Sequence, residues 1–155
     1  MTASASEEAR FLVGAAHTLA ISSFAGFLDL CPSLQGDDQA IAAWDFFATV
    51  AGVGVAFMTI VDTVPEPEQE ALCHAVANEL DSWRPHGYAA LVDFTNAVRR
   101  FEARGVETPL ALGSWVFLNV TDGQEPTRQD AEGLQALGYL LLHSFLHWWR
   151  ERRSA

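Results

Sequence analysis

The segment at residues 39–62 constrains the fold of this chain more than any other part of the sequence. It is apolar nearly all the way round a helix, so it is either a helix buried by neighbouring protein or a membrane span. Its length just reaches the roughly 20 residues that a span needs. We predict a central buried helix, because Asp45 would be costly inside a bilayer and the flanks are acidic, with no Lys or Arg to orient a span.

Signals for helix ends divide the first two thirds of the chain into further helices. Ser4 and Glu7 have the spacing of a capping box at the start of a first helix. Pro32 ends that helix, because proline disfavours helical geometry at the residue before it. Pro65 separates the central helix from a third helix, and Gly105 is a natural end for a fourth.

The last third of the chain is predicted to hold two more helices. Thr108 and Pro109 are typical of a cap followed by proline at the first helical position. Residues 110–120 are rich in β-forming side chains, but we favour a helix because the sequence offers no partner strand. Thr127 and Asp130 resemble a capping box for a final helix that runs to about residue 152.

These elements predict one fold class. We expect an all-α protein in which residues 1–155 form a single domain. Five or six helices, arranged as a bundle or an orthogonal array, would surround the apolar central helix at about 39–62.

The charge of the chain restricts its partners. Nine Arg and no Lys stand against 20 acidic residues, which gives a formal net charge of −11. Such a field repels nucleic acids and anionic lipid surfaces, so we expect no nucleic-acid partner and no membrane contact. It favours a cationic protein partner, and the 50% of apolar residues leaves enough surface for self-association as well.

Cysteine usage and the N-terminus predict the compartment. Cys31 and Cys73 are two lone thiols without CxxC spacing, as is usual in a reducing environment. The N-terminal residues lack the basic region of a signal peptide. We therefore expect a cytoplasmic protein.

A histidine pair near the C-terminus is the best candidate for a metal site. His143 and His147 are four residues apart, so both imidazoles project from one helix face. Glu70 and His74 form a second pair with the same spacing. A two-helix site for zinc, iron or haem can be drawn from the two pairs. We favour the structural interpretation, in which the late pair occupies a half-exposed helix end beside the C-terminal dipole.

A second candidate site is a ligand pocket beside the central helix. Asp45 and Thr49 share a face of small residues on that helix. His17 lies on an apolar face of the first helix, where it is either a hydrogen-bonded core residue or a ligand. Two interpretations of Asp45 are open. It is either a buried carboxyl with a raised pKa or a partly solvated group near the start of the helix, and we favour the second.

Aromatic residues supply a candidate interface, while signatures of catalysis are missing from the sequence. Trp148 and Trp149 are adjacent, so their rings point about 100° apart on a helix and one of them lies near the surface. A surface tryptophan is typical of an interface. Neither a GxSxG elbow nor a phosphate-binding glycine loop is present.

Three functional hypotheses follow. The leading one is a non-enzymatic, acidic helical binding protein that engages itself or a cationic protein, as inhibitors, immunity proteins and chaperones do. The second is a metal- or haem-binding bundle that uses the late HxxxH pair. The third is a helical protein with a small-molecule pocket.

Overall fold

The chain folds as an all-α protein. The computed structural model describes the backbone of residues 4–34 and 38–154, and the side chains of residues 4–34 and 43–146. Within this part the chain forms a short 3-10 turn at Pro32–Leu34 and no strand. The six helices are α1 (Ala5–Leu30), α2 (Asp38–Thr63), α3 (Glu66–Trp83), α4 (Gly87–Ala103), α5 (Thr108–Val120) and α6 (Arg128–Ser154).

Most helix ends lie where capping chemistry places them. The Ser4 hydroxyl accepts a hydrogen bond from the Glu7 amide, and the Glu7 carboxylate accepts one from the Ser4 amide, which completes the predicted capping box. Gly105 adopts a left-handed φ of 84° just after α4. One prediction is off by a residue: Glu107, not Thr108, is the N-cap of α5, so Pro109 occupies the second helical position. Residues 110–120 are helical, as favoured.

Helix α2 is the centre of the fold, as its composition predicts. It packs against each of the other five helices, and its side chains from Trp44 to Ile60 are mostly buried. Gly54 is needed for this packing, because a Cβ there would lie 2.3 Å from the Phe94 ring. Burial on all sides explains why this helix is apolar all the way round.

Helices α5 and α6 approach so closely that their backbones touch. A Cβ on Gly113 would lie 2.0 Å from the carbonyl oxygen of Leu134. On the facing helix, a Cβ on Gly138 would lie 1.8 Å from the carbonyl oxygen of Pro109. Glycine is therefore required on both sides of this contact.

Two helical segments, Ala5–Leu30 and Ala43–Thr63, have the length and composition of membrane spans. They differ in how far the protein covers them. In the most apolar window of the second segment 56% of the residues are buried, but in that of the first only 28% are. Helix α1 is therefore an apolar helix that lies mostly at the surface, a feature that the sequence analysis did not predict.

Candidate functional site

A polar cluster joins α1, α2 and α3, and we call its members His17, Asp45, Trp83 and Arg84 the three-helix cluster. Arg84 donates to both carboxylate oxygens of Asp45, with Nη2–Oδ2 at 2.8 Å and Nη1–Oδ1 at 3.4 Å. The Nε2 atom of His17 lies 3.5 Å from the same Oδ2. The side chains of His17, Asp45 and Arg84 are between 28% and 38% exposed, so water reaches the cluster.

Aromatic rings pack against the polar groups of the three-helix cluster. The guanidinium carbon of Arg84 lies 4.8 Å from the centre of the Trp83 ring, within range of a cation–π interaction. The His17 ring meets Trp83 edge to face at 5.4 Å, and Phe46 stacks parallel to it at 5.8 Å. Trp83 thus contacts both side chains that pair with Asp45.

The environment of Asp45 makes it an acceptor rather than a proton donor. Burial raises the pKa of this carboxyl, but the hydrogen bonds and charge of Arg84, followed by those of His17, outweigh burial and hold the pKa below its ordinary value. The predicted alternative of a raised pKa is therefore wrong. The favoured interpretation is confirmed in part. Asp45 is partly solvated and accepts hydrogen bonds, but it lies about two turns into α2 and its donors are side chains from outside that helix.

Thr49 lies apart from these polar groups. It is completely buried, and its hydroxyl donates to the backbone carbonyl of Asp45 one turn earlier in α2. Of the three predicted pocket residues, the structure thus brings His17 and Asp45 together and engages Thr49 within its own helix. Arg84 is the member that sequence reasoning missed, because its contact with Asp45 depends on how α3 packs.

The predicted metal ligands lie on α3 and α6, two helices that do not pack extensively against each other. Glu70 and His74 are exposed on α3, which packs on α1, α2 and α4, and His143 is exposed on α6, which packs on α1, α2 and α5. No group of three or more His, Cys, Asp or Glu side chains close enough to hold a metal occurs among the described residues. The side chain of His147 lies outside the described part of the chain, so a site that includes it stays a prediction.

A second polar cluster, buried between the start of α6 and the turn after α1, escaped the sequence analysis. Asp130 is fully buried and accepts hydrogen bonds from the Ser33 hydroxyl at 2.7 Å and from the Thr127 amide and hydroxyl, both at 2.9 Å. The predicted Thr127–Asp130 capping box is confirmed, and Ser33 extends it. Cys31 is buried beside it, 3.9 Å from the Asp130 carbonyl oxygen.

The most extended candidate for binding is the surface of α1, whose exposed residues we call the outer face. Ile21 is 59% exposed and Phe11 is 56% exposed, which is unusual for such large apolar side chains. A groove of about 820 Å³ runs beside this face, with Ser144 and Phe145 of α6 along its other wall. The outer face consists of the exposed residues of α1 between Arg10 and Asp29, which are Phe11, Gly14, Thr18, Ile21, Ser22, Ala25 and Gly26.

Charge is distributed unevenly around this face. No Asp, Glu or Arg occurs at residues 11–28, while Arg10 and Asp29 stand at the two ends of that stretch. After Arg10, the next arginine is Arg84, and the sequence contains no lysine. The outer face is therefore an uncharged surface on a protein with a net charge of −11.

The predicted interface residues Trp148 and Trp149 lie outside the residues whose side chains the structure describes.

Comparison with known proteins yields no relative: the chain matches no family model, no curated protein and no solved structure.

Proposed function

We propose that this protein is a non-enzymatic, acidic helical binding protein whose contact surface is the outer face of α1 together with the groove beside it. The single observation that carries the proposal is the exposure of α1. This helix has the composition of a buried or membrane-spanning helix, yet only 28% of the residues in its most apolar window are buried. An extended apolar surface of this kind marks an interaction site on a water-soluble protein.

The energetics favour covering this surface. Removing apolar surface from water stabilises a complex by about 25 cal/mol per Å². Ile21 and Phe11 are the large side chains that gain most, because each is more than half exposed. The small residues between them, such as Gly14 and Thr18, let the backbone of a partner element come close.

The strongly hydrogen-bonded carboxylates of the fold support a binding role over a catalytic one. Asp45 is held by two donors from Arg84, and Asp130 by donors from Ser33 and Thr127. Carboxylates used in this way link structural elements, and their lowered pKa values oppose the proton uptake that a general base needs.

The net charge of −11 supports two kinds of protein partner. A cationic protein would be attracted by a chain of this net charge. Self-association is the second possibility, and it requires a surface where two acidic molecules meet without strong repulsion. The outer face meets that requirement, because residues 11–28 carry no Asp or Glu.

Site-specific photocrosslinking in living cells tests the proposal. We replace Ile21 with p-benzoylphenylalanine, and in a matched control we replace Tyr139, which is 56% exposed on α6. After irradiation, position 21 should give a discrete crosslinked product that position 139 does not give. The absence of any product at position 21, or the same products from both positions, would contradict a protein-binding role for the outer face.

The groove favours one further candidate, a small apolar ligand. Its volume of about 820 Å³ lies within the range of about 300–1,000 Å³ that is typical of ligand pockets. Ser144 and Arg10 supply polar groups at its rim. If the groove holds a ligand, native mass spectrometry of purified protein will detect an added mass, and Gly14→Trp, which fills the groove, will abolish it. Unliganded protein in that measurement would remove this candidate.

A further inference from the structure

One end of the outer face has the only arginine of α1 and the other end has an aspartate, and this pattern points to a specific partner. Glu7 also lines the groove near Arg10, but its carboxylate accepts a hydrogen bond from the Ser4 amide in the capping box. Arg10 near the start of α1 and Asp29 in its last turn are both exposed. Neither forms an ion pair in the part of the chain that the structure describes. Asp29 is also unfavourable for α1 itself, because a negative charge in the last turn opposes the helix dipole, and no basic residue occurs in that turn.

A second copy of the same helix complements this pattern when it runs in the opposite direction. Residues 11–28 span about 27 Å along the helix axis. Antiparallel pairing about a two-fold axis places the Arg10 end of each helix beside the Asp29 end of the other, so the same contact forms twice. The two helix dipoles then also oppose each other, which is their favourable arrangement. A parallel pair would instead bring like charges together at both ends.

The glycines of α1 agree with close contact between two such helices. Every other helical glycine in the described part of the chain is crowded, since a Cβ would collide with a neighbouring helix or side chain. Gly14 and Gly26 have nothing within 4 Å of that position. A glycine inside a helix destabilises it by about 1 kcal/mol relative to alanine. No packing within the monomer accounts for the loss of helix stability that Gly14 and Gly26 cause, whereas the close approach of a second helix does account for it.

We propose that two copies of this chain associate through the outer face of α1, with the helices antiparallel and Arg10 of each copy against Asp29 of the other. This inference rests on the proposed function and specifies its partner. The uncharged stretch between the two ends lets two molecules of net charge −11 meet where their repulsion is weakest.

Charge reversal tests the pairing. Arg10→Asp and Asp29→Arg should each weaken the dimer about tenfold or more at low salt, because each places two like-charge pairs in the interface. An equimolar mixture of the two variants should form a heterodimer in which both pairs are again of opposite charge, one in the original sense and one reversed. The double variant should regain the wild-type affinity. Analytical ultracentrifugation over a concentration series gives each dissociation constant.

Matched controls separate the contact from the change in net charge. Arg128→Asp and Glu125→Arg reverse exposed charges outside α1, and they should leave the dimerisation constant within about twofold of wild type. Asp29→Arg should also raise the unfolding temperature of the monomer, because it removes the conflict with the helix dipole. A variant that is better folded yet dimerises more weakly cannot be explained by misfolding.

Three results would overturn the inference. The first is a wild-type protein that stays monomeric to millimolar concentration, and the second is a dimer that both charge reversals leave unchanged. The third is a monomer that sediments with phosphatidylcholine vesicles in a manner that Ile21→Asp abolishes, which would assign the outer face to a lipid surface. If the crosslinked product at Ile21 contains only a different protein, the self-association inference fails while the proposed binding function stands. If no product forms, both fail.

Discussion

The guanidinium of Arg84 holds the carboxylate of Asp45 through two hydrogen bonds, of 2.8 Å and 3.4 Å, and thereby ties the end of α3 to the first half of α2. The two residues are 39 positions apart in the chain. Trp83 lies under the guanidinium and restricts its freedom. This planar, two-point contact is the best-defined ion pair in the described part of the protein.

A double-mutant cycle will measure this contact. Asp45→Ala and Arg84→Ala should each lower the free energy of unfolding by about 1 kcal/mol, and their coupling energy should be about 0.5–1 kcal/mol. The coupling stays modest because Arg84 is 38% exposed and solvent screens the pair. Urea denaturation at low and high salt provides the measurement. Coupling that is zero at low salt would show that the two residues do not stabilise each other.

Acid should destabilise the protein through two carboxyls. Burial raises the pKa of both Asp45 and Asp130, but hydrogen bonds outweigh it: those from Arg84 and His17 at Asp45, and those from Ser33 and Thr127 at Asp130. Both pKa values therefore lie below the ordinary value of 3.8.

Because the folded state favours the ionised form, this stabilisation is complete above the unfolded-state pKa and is lost as the pH falls through the lowered folded-state pKa. The free energy of unfolding should therefore drop as the pH falls below about 4. Urea denaturation across this range will measure the slope. Asp45→Asn and Asp130→Asn should each flatten it, and an unchanged slope in both variants would assign acid unfolding to other groups.

Asp130 should contribute more to stability than Asp45. It is fully buried, and truncation would leave the donors of Ser33 and Thr127 without their acceptor. We expect Asp130→Ala to lower the free energy of unfolding by about 2–4 kcal/mol. Glu132→Ala, at an exposed position two residues later, should stay within about 0.5 kcal/mol of wild type. Equal effects of the two substitutions would argue against this hydrogen-bonded cap.

Cys31 should resist thiol reagents in the folded protein. Burial, and then the negative charge of Asp130, raises the pKa of this thiol to about 11. The Cys73 pKa is also raised by burial, but that side chain is only partly covered. Iodoacetamide should therefore modify Cys73 well before Cys31, as mass spectrometry of timed samples will show.

The raised pKa of Cys31 also has a consequence for stability. The folded state favours the protonated thiol, so this residue lowers the free energy of unfolding as the pH rises from about 9 toward 11. Cys31→Ser should weaken that dependence. Rapid modification of Cys31 at neutral pH, at the rate of Cys73, would contradict the buried environment.

Two glycine-to-alanine substitutions should have opposite effects. Gly138→Ala places a Cβ against the Pro109 carbonyl and should lower the free energy of unfolding by about 1–3 kcal/mol, because α5 and α6 must separate. Gly14→Ala meets open space in the monomer and should raise it by about 0.5–1 kcal/mol through helix propensity alone. Thermal unfolding at a concentration below any dimerisation provides the comparison. A stabilising Gly138→Ala would contradict the close contact.

Local signals predicted most of the fold because they act over a few residues. Pro32, Gly105 and the Ser4–Glu7 capping box determine helix ends through backbone geometry and nearby hydrogen bonds. The composition of residues 39–62 predicts their central position, because a helix without a polar face needs protein on all sides.

The contacts of the candidate sites were harder to predict because they join distant residues. No spacing rule links residues that are far apart in the chain. Asp45 contacts Arg84, and Ser33 contacts Asp130, only once the intervening helices have packed in their final orientation. The exposure of α1 was missed for a related reason. Its apolar content resembles that of a core helix, and only the packing of α2 at the centre leaves α1 outside.

The central position of α2 has a consequence for synthesis of the chain. During translation α2 leaves the ribosome after α1 and before α3. The faces of α2 that pack on α5 and α6 in the folded protein stay uncovered until the last helix has emerged. The nascent chain therefore exposes a long apolar surface for most of its time on the ribosome. During that time chaperones can bind this surface, and contact with neighbouring nascent chains can lead to aggregation.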